Sequence, residues 1–594
     1  MSPGREYARR LAASEAGVRQ LAAVQERVGA TRLLLVAILI LLAWSSWGEH
    51  WLPAPWMLVP LAAFICAVAY HAVLRSRHSH GERAVELYRR GLARLEDRWA
   101  GAGNRGDRFG DGHHVYAADL DLFGEGSLFE LLCTARTRMG EETLAAWLLA
   151  PAPAAEIRER HACVVDLRER LDLRERIATL GSGRESAMHA GTFLAWAEAP
   201  AVLTERWIQV AAYLLPALLV ASLAAGNLTG VWTPAALALI VEALMLYRLK
   251  RRLQEVLFPA ERAFDFDDLK TFAGLLREIE REGFGSPPMR SLAEAICADG
   301  MHASVRIGRL ATIVMLSEQR KNLMVSWAQV PLLFLVHFAL AAERWRRAHG
   351  KSVRAWLAAV GRFEALSSLA QYGFEHPDDP VPRLVAGRAC LRAEGLGHPL
   401  IPESQCVRND VDLSGRERVW LVSGSNMSGK STLLRAIGLN VVLAGAGAPV
   451  RAQAFELTPL QVGASIRIND SLREGSSRFY AEITRLRQLR DLCGREPPLL
   501  FLIDEMLQGT NSNDRRIGAE GILGALVEQG AIGLATTHDL ALTELGGLGD
   551  GILRNIHFED HLENGRMRFD YKLREGVVTK SNGLELMRAI GLRV

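Results

Sequence analysis

The stretch Gly424-Ser-Asn-Met-Ser-Gly-Lys-Ser-Thr432 has the make-up of a phosphate cradle. Its glycines let backbone N–H groups turn toward one anion, and a helix N-terminus behind them adds positive potential. The context fits. An apolar run, Val419-Trp-Leu-Val-Ser423, precedes the loop, and Leu433-Leu-Arg-Ala-Ile-Gly-Leu follows it with helical character. Strand, glycine loop and helix make a P-loop. Gly424, Ser425, Asn426, Met427, Ser428, Gly429, Lys430, Ser431 and Thr432 are therefore the candidate nucleotide-binding residues. Lys430 would reach the β- and γ-phosphates, and the Ser431 hydroxyl would hold Mg²⁺.

A second run, Leu499-Leu-Phe-Leu-Ile, ends in Asp504-Glu505. Five apolar residues suit a strand buried on both faces of a parallel sheet, and the paired carboxylates suit a Walker B strand. Asp504 would share the metal with Ser431, and Glu505 would polarise the attacking water. The polar turn Met506-Leu-Gln-Gly-Thr-Asn-Ser512 follows directly. Another apolar run, Ala531-Ile-Gly-Leu-Ala535, ends in Thr536-Thr-His538, which places His538 within reach of a γ-phosphate.

Together these motifs resemble the ATPase domain of the MutS family, ABC-type ATPases known from DNA mismatch repair. The resemblance rests on Gly-x-Asn-Met-x-Gly-Lys-Ser-Thr, Asp-Glu-x-x-x-Gly-Thr-Asn and Thr-Thr-His, and it covers residues 384–594. It implies ATP and Mg²⁺ as cofactors, Glu505, His538 and Lys430 as catalytic groups, and a homodimer. In such dimers a signature serine from one subunit serves the nucleotide of the other. Ser477 falls on that serine within Asn469-Asp-Ser-Leu-Arg-Glu-Gly-Ser-Ser-Arg-Phe479, where Arg478 departs from the family's pattern. DNA is the partner that the resemblance implies. The tail from Tyr571 to Leu592 is also similar to the end of MutS ATPase domains.

The elements that must carry this site are of a different character. The chain has 594 residues, 49% of them hydrophobic, and a net charge of only +3. Such a balance argues neither for nor against a nucleic-acid partner. The seven cysteines have no metal-type spacing and read as reduced thiols. Residues 1–32 are arginine-rich; Leu33–Trp47 and Trp56–Leu74 are apolar and separated by a short break. The pattern recurs in Trp207–Ala225 and Trp232–Tyr247. Spans need about 20 residues, so these read as two membrane hairpins. Neither connector holds Lys or Arg, whereas Arg75, Arg77, Arg206, Arg248, Lys250, Arg251 and Arg252 flank the spans. By the positive-inside rule all hairpin ends lie in the cytoplasm, which predicts a multi-pass protein of the inner (cytoplasmic) membrane. Two pairs of buried core helices are the alternative and leave the charge asymmetry unexplained. Glu242 lies inside the fourth span and near its cytoplasmic end.

The expected fold is an α/β P-loop ABC-type ATPase domain at the C-terminus, preceded by an all-α MutS-like core and lever region carrying two transmembrane helical hairpins. The segments are 1–80 (basic segment and hairpin), 81–200 (core, first part), 201–252 (second hairpin), 253–383 (core, lever and linker) and 384–594 (ATPase). The core reading rests on Asp119-Leu-Asp-Leu-Phe, Thr134-Ala-Arg-Thr-Arg-Met-Gly140 and the amphipathic helices around them. Leu253–Glu282 reads as a helix that Ser286-Pro-Pro-Met breaks, Val330–Leu340 as a buried core helix with an interfacial membrane segment as the alternative, and Val353–Tyr372 as a further helix. Nothing in the first residues resembles a mismatch-reading domain. Arg485, Arg487, Arg490, Arg515 and Arg516 read as solvated faces or dimer contacts. The alternatives to a DNA-coupled ATPase are a nucleotide-gated membrane scaffold and an ABC-type ATPase acting on a protein or membrane partner without DNA.

Overall fold

The computed structural model describes residues 2–47, 53–181, 188–297, 300–319, 329–425, 427–467, 478–545, 549, 551–563 and 566–578. Two compact units result. The first comprises Met1–Arg98, Arg170–Gly283 and Leu292–Val360, and the second Trp99–Glu169, Phe284–Ser291 and Gly361–Val594. Contacts thus divide the chain otherwise than the five sequence segments: residues 99–169 group with the ATPase region.

The first unit is helical. Pro3–Trp47 is one helix, in which the arginine-rich start runs without a break into the apolar part. Leu58–Leu95 packs back against it, with Tyr7 and Tyr88 ring centroids 5.8 Å apart. Gly91 is required at this crossing, because a Cβ there would lie 2.5 Å from the Tyr7 ring. The second pair is Arg206–Thr229 and Thr233–Ala263. Gly230 ends the first helix in the left-handed conformation at φ 75° and donates to Gly226 O. Pro234 then sits in the first turn of the next, where its missing N–H costs nothing.

Among the described residues three helices are long and apolar enough to cross a membrane: Pro3–Trp47, Pro55–Leu95 and Arg206–Thr229. The fourth expected span, in Thr233–Ala263, is not among them; Glu242 and the following Arg248 and Lys250 interrupt its apolar run. Glu242 is fully buried, and neither carboxylate oxygen has a hydrogen-bond partner among the described residues.

Beyond the hairpin, the expected helix Leu253–Glu282 is two helices. Asp265 caps the second, Phe266–Arg281, in a reciprocal box with Asp268 that satisfies the N–H groups of both residues. The break at Ser286-Pro-Pro-Met is present: the helix ends at Arg281, and Pro287 opens the next, Pro287–Ile296. The separate helices expected at 330–340 and 353–372 are one, Phe334–Glu375; its residues up to Val360 belong to the first unit and those from Gly361 to the second.

The second unit contains the sheets. The strands are β1 (Arg383–Leu384), β2 (Leu391–Leu396), β3 (Asn409–Asp412), β4 (Val419–Ser423), β5 (Ala454–Leu457), β6 (Gln461–Ser465), β7 (Leu499–Ile503), β8 (Ile532–Thr537), β9 (Leu553–Glu563) and β10 (Arg566–Glu575). A small sheet has the order β1-β5-β2-β3, and a six-stranded sheet the order β10-β9-β4-β8-β7-β6. In the large sheet β4, β6, β7, β8 and β9 are parallel, and β10 runs antiparallel at the edge. Every residue of β4, β7 and β8 is buried, as unbroken apolar runs demand when helices cover both faces. Leu486 and Leu489 of the helix Arg478–Leu492 and Leu523 and Leu526 of Ser512–Glu528 pack against Phe501, Ile503 and Ala535 in one core. The helix Lys430–Ala446 is buried along nearly its whole length, and a Cβ at Gly438 would stand 2.7 Å from Leu120 and 2.8 Å from Leu502.

Candidate functional site

The C-terminal ends of β4, β7 and β8 bring the chemical residues together, where ligands of parallel sheets bind. From β4 the chain enters the loop at Gly424. Its φ is 150°, and a Cβ there would stand 2.8 Å from Ser428 Oγ, which excludes a side chain. Ser428 N and Oγ both donate to Ser425 O, at 3.2 and 2.8 Å, which closes the turn. Gly429 is left-handed at φ 103° and begins the helix Lys430–Ala446. The Lys430 ammonium is buried and donates to Gly424 O at 2.7 Å and Ser425 O at 2.8 Å. Burial pulls its pKa below the usual lysine value, opposed by the Glu505 and Asp504 carboxylates.

Asp504 leaves the end of β7 held on both oxygens. Ser431 Oγ donates to Oδ2 at 2.5 Å, and the fully buried Thr536 hydroxyl donates to Oδ1. Thr536 Oγ1 also accepts from Glu505 N at 2.9 Å, so β8 fixes both carboxylate residues of the neighbouring strand. The donors around this point are a hydroxyl and a carboxylate, hard oxygen ligands of the kind Mg²⁺ takes. Ser431 and Asp504 therefore fit the ion expected of them.

Glu505 and Leu507 adopt φ of 49° and 57°. Non-glycine residues in this region are strained and persist where surrounding contacts hold them. Here the contacts are explicit. Leu507 N donates to the buried Glu482 carboxylate at 2.5 Å. Arg515 donates to the carbonyls of Leu507, Gln508 and Thr510 at 3.0–3.2 Å and pairs with Asp539 at 3.1 Å. Gln508 Nε2 donates to Glu505 Oε2 and lies 3.4 Å from His538 Nδ1, joining the two catalytic candidates. His538 is exposed at the edge of β8.

The structure thus assembles Gly424, Ser425, Ser428, Gly429, Lys430, Ser431, Asp504, Glu505 and His538, while Met427 and Thr432 are exposed on the loop and first helical turn. Asn426 and Ser477 lie outside the described residues. Sequence reading missed Thr536 and Gln508. Both lay within the motifs, Thr536 two residues before His538 and Gln508 three after Glu505, but a threonine and a glutamine in a turn carry no chemistry until their partners are known. It also missed Tyr571, whose ring closes on Gly429 and whose carbonyl accepts from Asn409 Nδ2 at 3.0 Å. Arg515 is a correction: it is no solvated face but the clamp of the Glu505 turn. Arg487 and Arg490 pair with Asp491, and Arg516 with Glu520, on the surface.

The core segment reaches the same unit. Asp119 Oδ1 accepts from Ile466 N and Arg467 N at 2.7 and 2.6 Å just beyond β6, and Arg435 Nε donates to Asp119 O at 3.0 Å.

The fold and the motif geometry agree with sequence relatives. Residues 420–593 match MutS domain V. The chain is 36% identical over 203 residues to the endonuclease MutS2 of Thermus thermophilus, covering 33% of this chain and 25% of that protein. It is 34% identical over 259 residues to the DNA mismatch repair protein MutS 2 of Halobacterium salinarum, covering 43% and 28%. The DNA mismatch repair protein MutS of Shouchella clausii is 32% identical over 257 residues, covering 41% and 28%. These matches support the MutS family for the ATPase segment. The chain spans between 25% and 28% of the length of these relatives.

Proposed function

We propose that this chain is a membrane-anchored MutS-type ATPase that hydrolyses ATP at a dimeric site and couples turnover to DNA. The observation that carries the reading is Asp504, gripped by Ser431 on one oxygen and Thr536 on the other, with Glu505 held beside it in a strained turn. ATP lays its phosphates on the loop amides and on Lys430, whose buried ammonium is already at the loop mouth. Ser431 and Asp504 would hold Mg²⁺, which would supply neutralisation of the charge developing on the phosphates. Glu505 orients the attacking water and accepts its proton. Gln508 positions the Glu505 carboxylate and ties it to His538, which faces the γ-phosphate. Ser477 of each subunit completes the site of the other.

The anchoring rests on composition and exposure. Leu33, Leu34, Ile40, Leu41, Trp44 and Trp47 stand more than half exposed along one helix, and Leu58, Val59 and Ile65 along the next. An apolar surface of this extent calls for lipid or a partner. The arginines outside both hairpins favour a cytoplasmic ATPase at the inner membrane. DNA enters through the relatives, two of which are named for mismatch repair and one as an endonuclease. The test is the ATPase rate of detergent-purified protein with and without homoduplex, mismatched and branched DNA. Stimulation by DNA is expected; a rate indifferent to every form would exclude DNA as the coupled partner and leave a membrane or protein partner.

A further inference from the structure

A second cluster of chemical side chains lies in the helical unit, away from the nucleotide. Glu280 is in the last turn of Phe266–Arg281, Cys297 follows the end of Pro287–Ile296, and His302 immediately precedes Ala303–Gln319. Their ligand atoms all lie within 4.8 Å of one another. His302 Nδ1 stands 3.4 Å from Glu280 Oε2 and 3.9 Å from Cys297 Sγ. We propose that Glu280, Cys297 and His302 form a three-ligand site for a borderline-soft divalent cation, Zn²⁺ by its chemistry.

The two separations from His302 suit that ion. Zn–N and Zn–O bonds of about 2.05 Å and a Zn–S bond of about 2.3 Å put tetrahedral N and O ligands about 3.4 Å apart, and N and S about 3.6 Å apart. The His–Glu separation already matches, and the His–Cys separation needs a shift of a few tenths of an ångström. The backbone holds each ligand. Cys297 N donates to Glu294 O at 3.0 Å, and His302 O accepts from Val305 N at 3.2 Å. Glu280 is the most deeply set member, its side chain 3% exposed, and it is oriented as a metal-bound carboxylate should be: Ser304 N donates to Oε1 at 2.9 Å and Ser304 Oγ to Oε2. A carboxylate accepts about four hydrogen bonds or metal contacts, so these two leave it free to ligate. A thiolate, an imidazole and a carboxylate select Zn²⁺ over Mg²⁺, which prefers oxygen alone. This separates the site from the ion of the P-loop. With three protein ligands the fourth position stays open to water. The bound ion would staple the ends of three consecutive helices.

Co²⁺ titration of the detergent-purified full chain tests the assignment, because cobalt in such a site gives a thiolate charge-transfer band that an all-oxygen site cannot give. The wild type should take up about one thiolate-bound Co²⁺ per chain, displaced by Zn²⁺. The band should vanish in Cys297→Ser, and Co²⁺ affinity should weaken at least about tenfold in His302→Ala, whose imidazole is exposed. ATP turnover in Mg²⁺ should persist in both variants. A wild type with no band, or a band that survives Cys297→Ser, overturns the proposal, since the other cysteines would then be the ligands.

Discussion

At the residue scale, the site is set by which hydroxyls reach Asp504. Thr536→Val removes the donor to Oδ1 and the acceptor of Glu505 N while keeping the shape of the buried side chain. Each buried group so abandoned costs about 1–3 kcal/mol. The expected outcome is a lower kcat and a lower thermal midpoint, read by steady-state kinetics and calorimetry; an unchanged kcat would mean that the Thr536 hydroxyl does not matter to Asp504. Gln508→Ala should slow turnover about 3- to 10-fold with little change in KM, because it displaces Glu505 without touching the phosphates. Equal losses in kcat and in ATP binding would show Gln508 to be part of the binding loop instead. Lys430, Ser431, Asp504 and Glu505 were legible in the sequence because each chemistry requires that residue type at that spacing. Thr536 and Gln508 were not, because their roles depend on a contact between neighbouring strands and on the reversal of a turn, and neither has a sequence period.

At the scale of elements, Glu364 joins, within the second unit, the C-terminal part of one long helix to a second helix. It lies on Phe334–Glu375 and accepts from Arg136 N at 2.8 Å and from the hydroxyl of Thr137, the N-cap of Arg138–Leu149. Burial raises its pKa from 4.5 to about 7, opposed by those two hydrogen bonds and by Arg136, and reinforced by Glu141. The folded state therefore keeps a proton that the unfolded chain releases. Stability is largest below the unfolded value and falls as pH rises from 4.5 to about 7, by at most about 3 kcal/mol, and is flat above. Glu364→Gln should abolish this part of the pH dependence, so its thermal midpoint should exceed that of the wild type more at pH 8 than at pH 5. An identical offset at both values would mean that Glu364 is not protonated in the fold. Helical periodicity located the parts of this joint, and not their continuity. Residues 330–340 and 353–372 read as separate because Arg344, Arg346, Arg347 and Lys351 interrupt the apolar pattern. In the fold Arg346 turns inward to a buried pair with Glu343 at 2.7 Å, and the helix runs on.

At the scale of the whole molecule, two kinds of surface follow from one chain. The parallel sheet buries its apolar strands under helices, whereas the helices Pro3–Trp47, Pro55–Leu95 and Arg206–Thr229 leave their apolar stretches outside. Hydropathy and charge made these three readable from sequence; the fourth, with Glu242 and a cationic end, is a weaker case by length and composition. An anchored chain stays in the membrane pellet after carbonate washing, and release into the supernatant would end the anchoring proposal. The central claim, however, is hydrolysis at Lys430, Asp504 and Glu505. It is tested most directly by Mg²⁺-dependent ATP turnover of the detergent-purified wild type beside Glu505→Gln, with ATP binding measured on both. The expected result is turnover in the wild type, a loss of at least about 100-fold in the variant, and retained ATP binding. Turnover in Glu505→Gln equal to that of the wild type would contradict the claim.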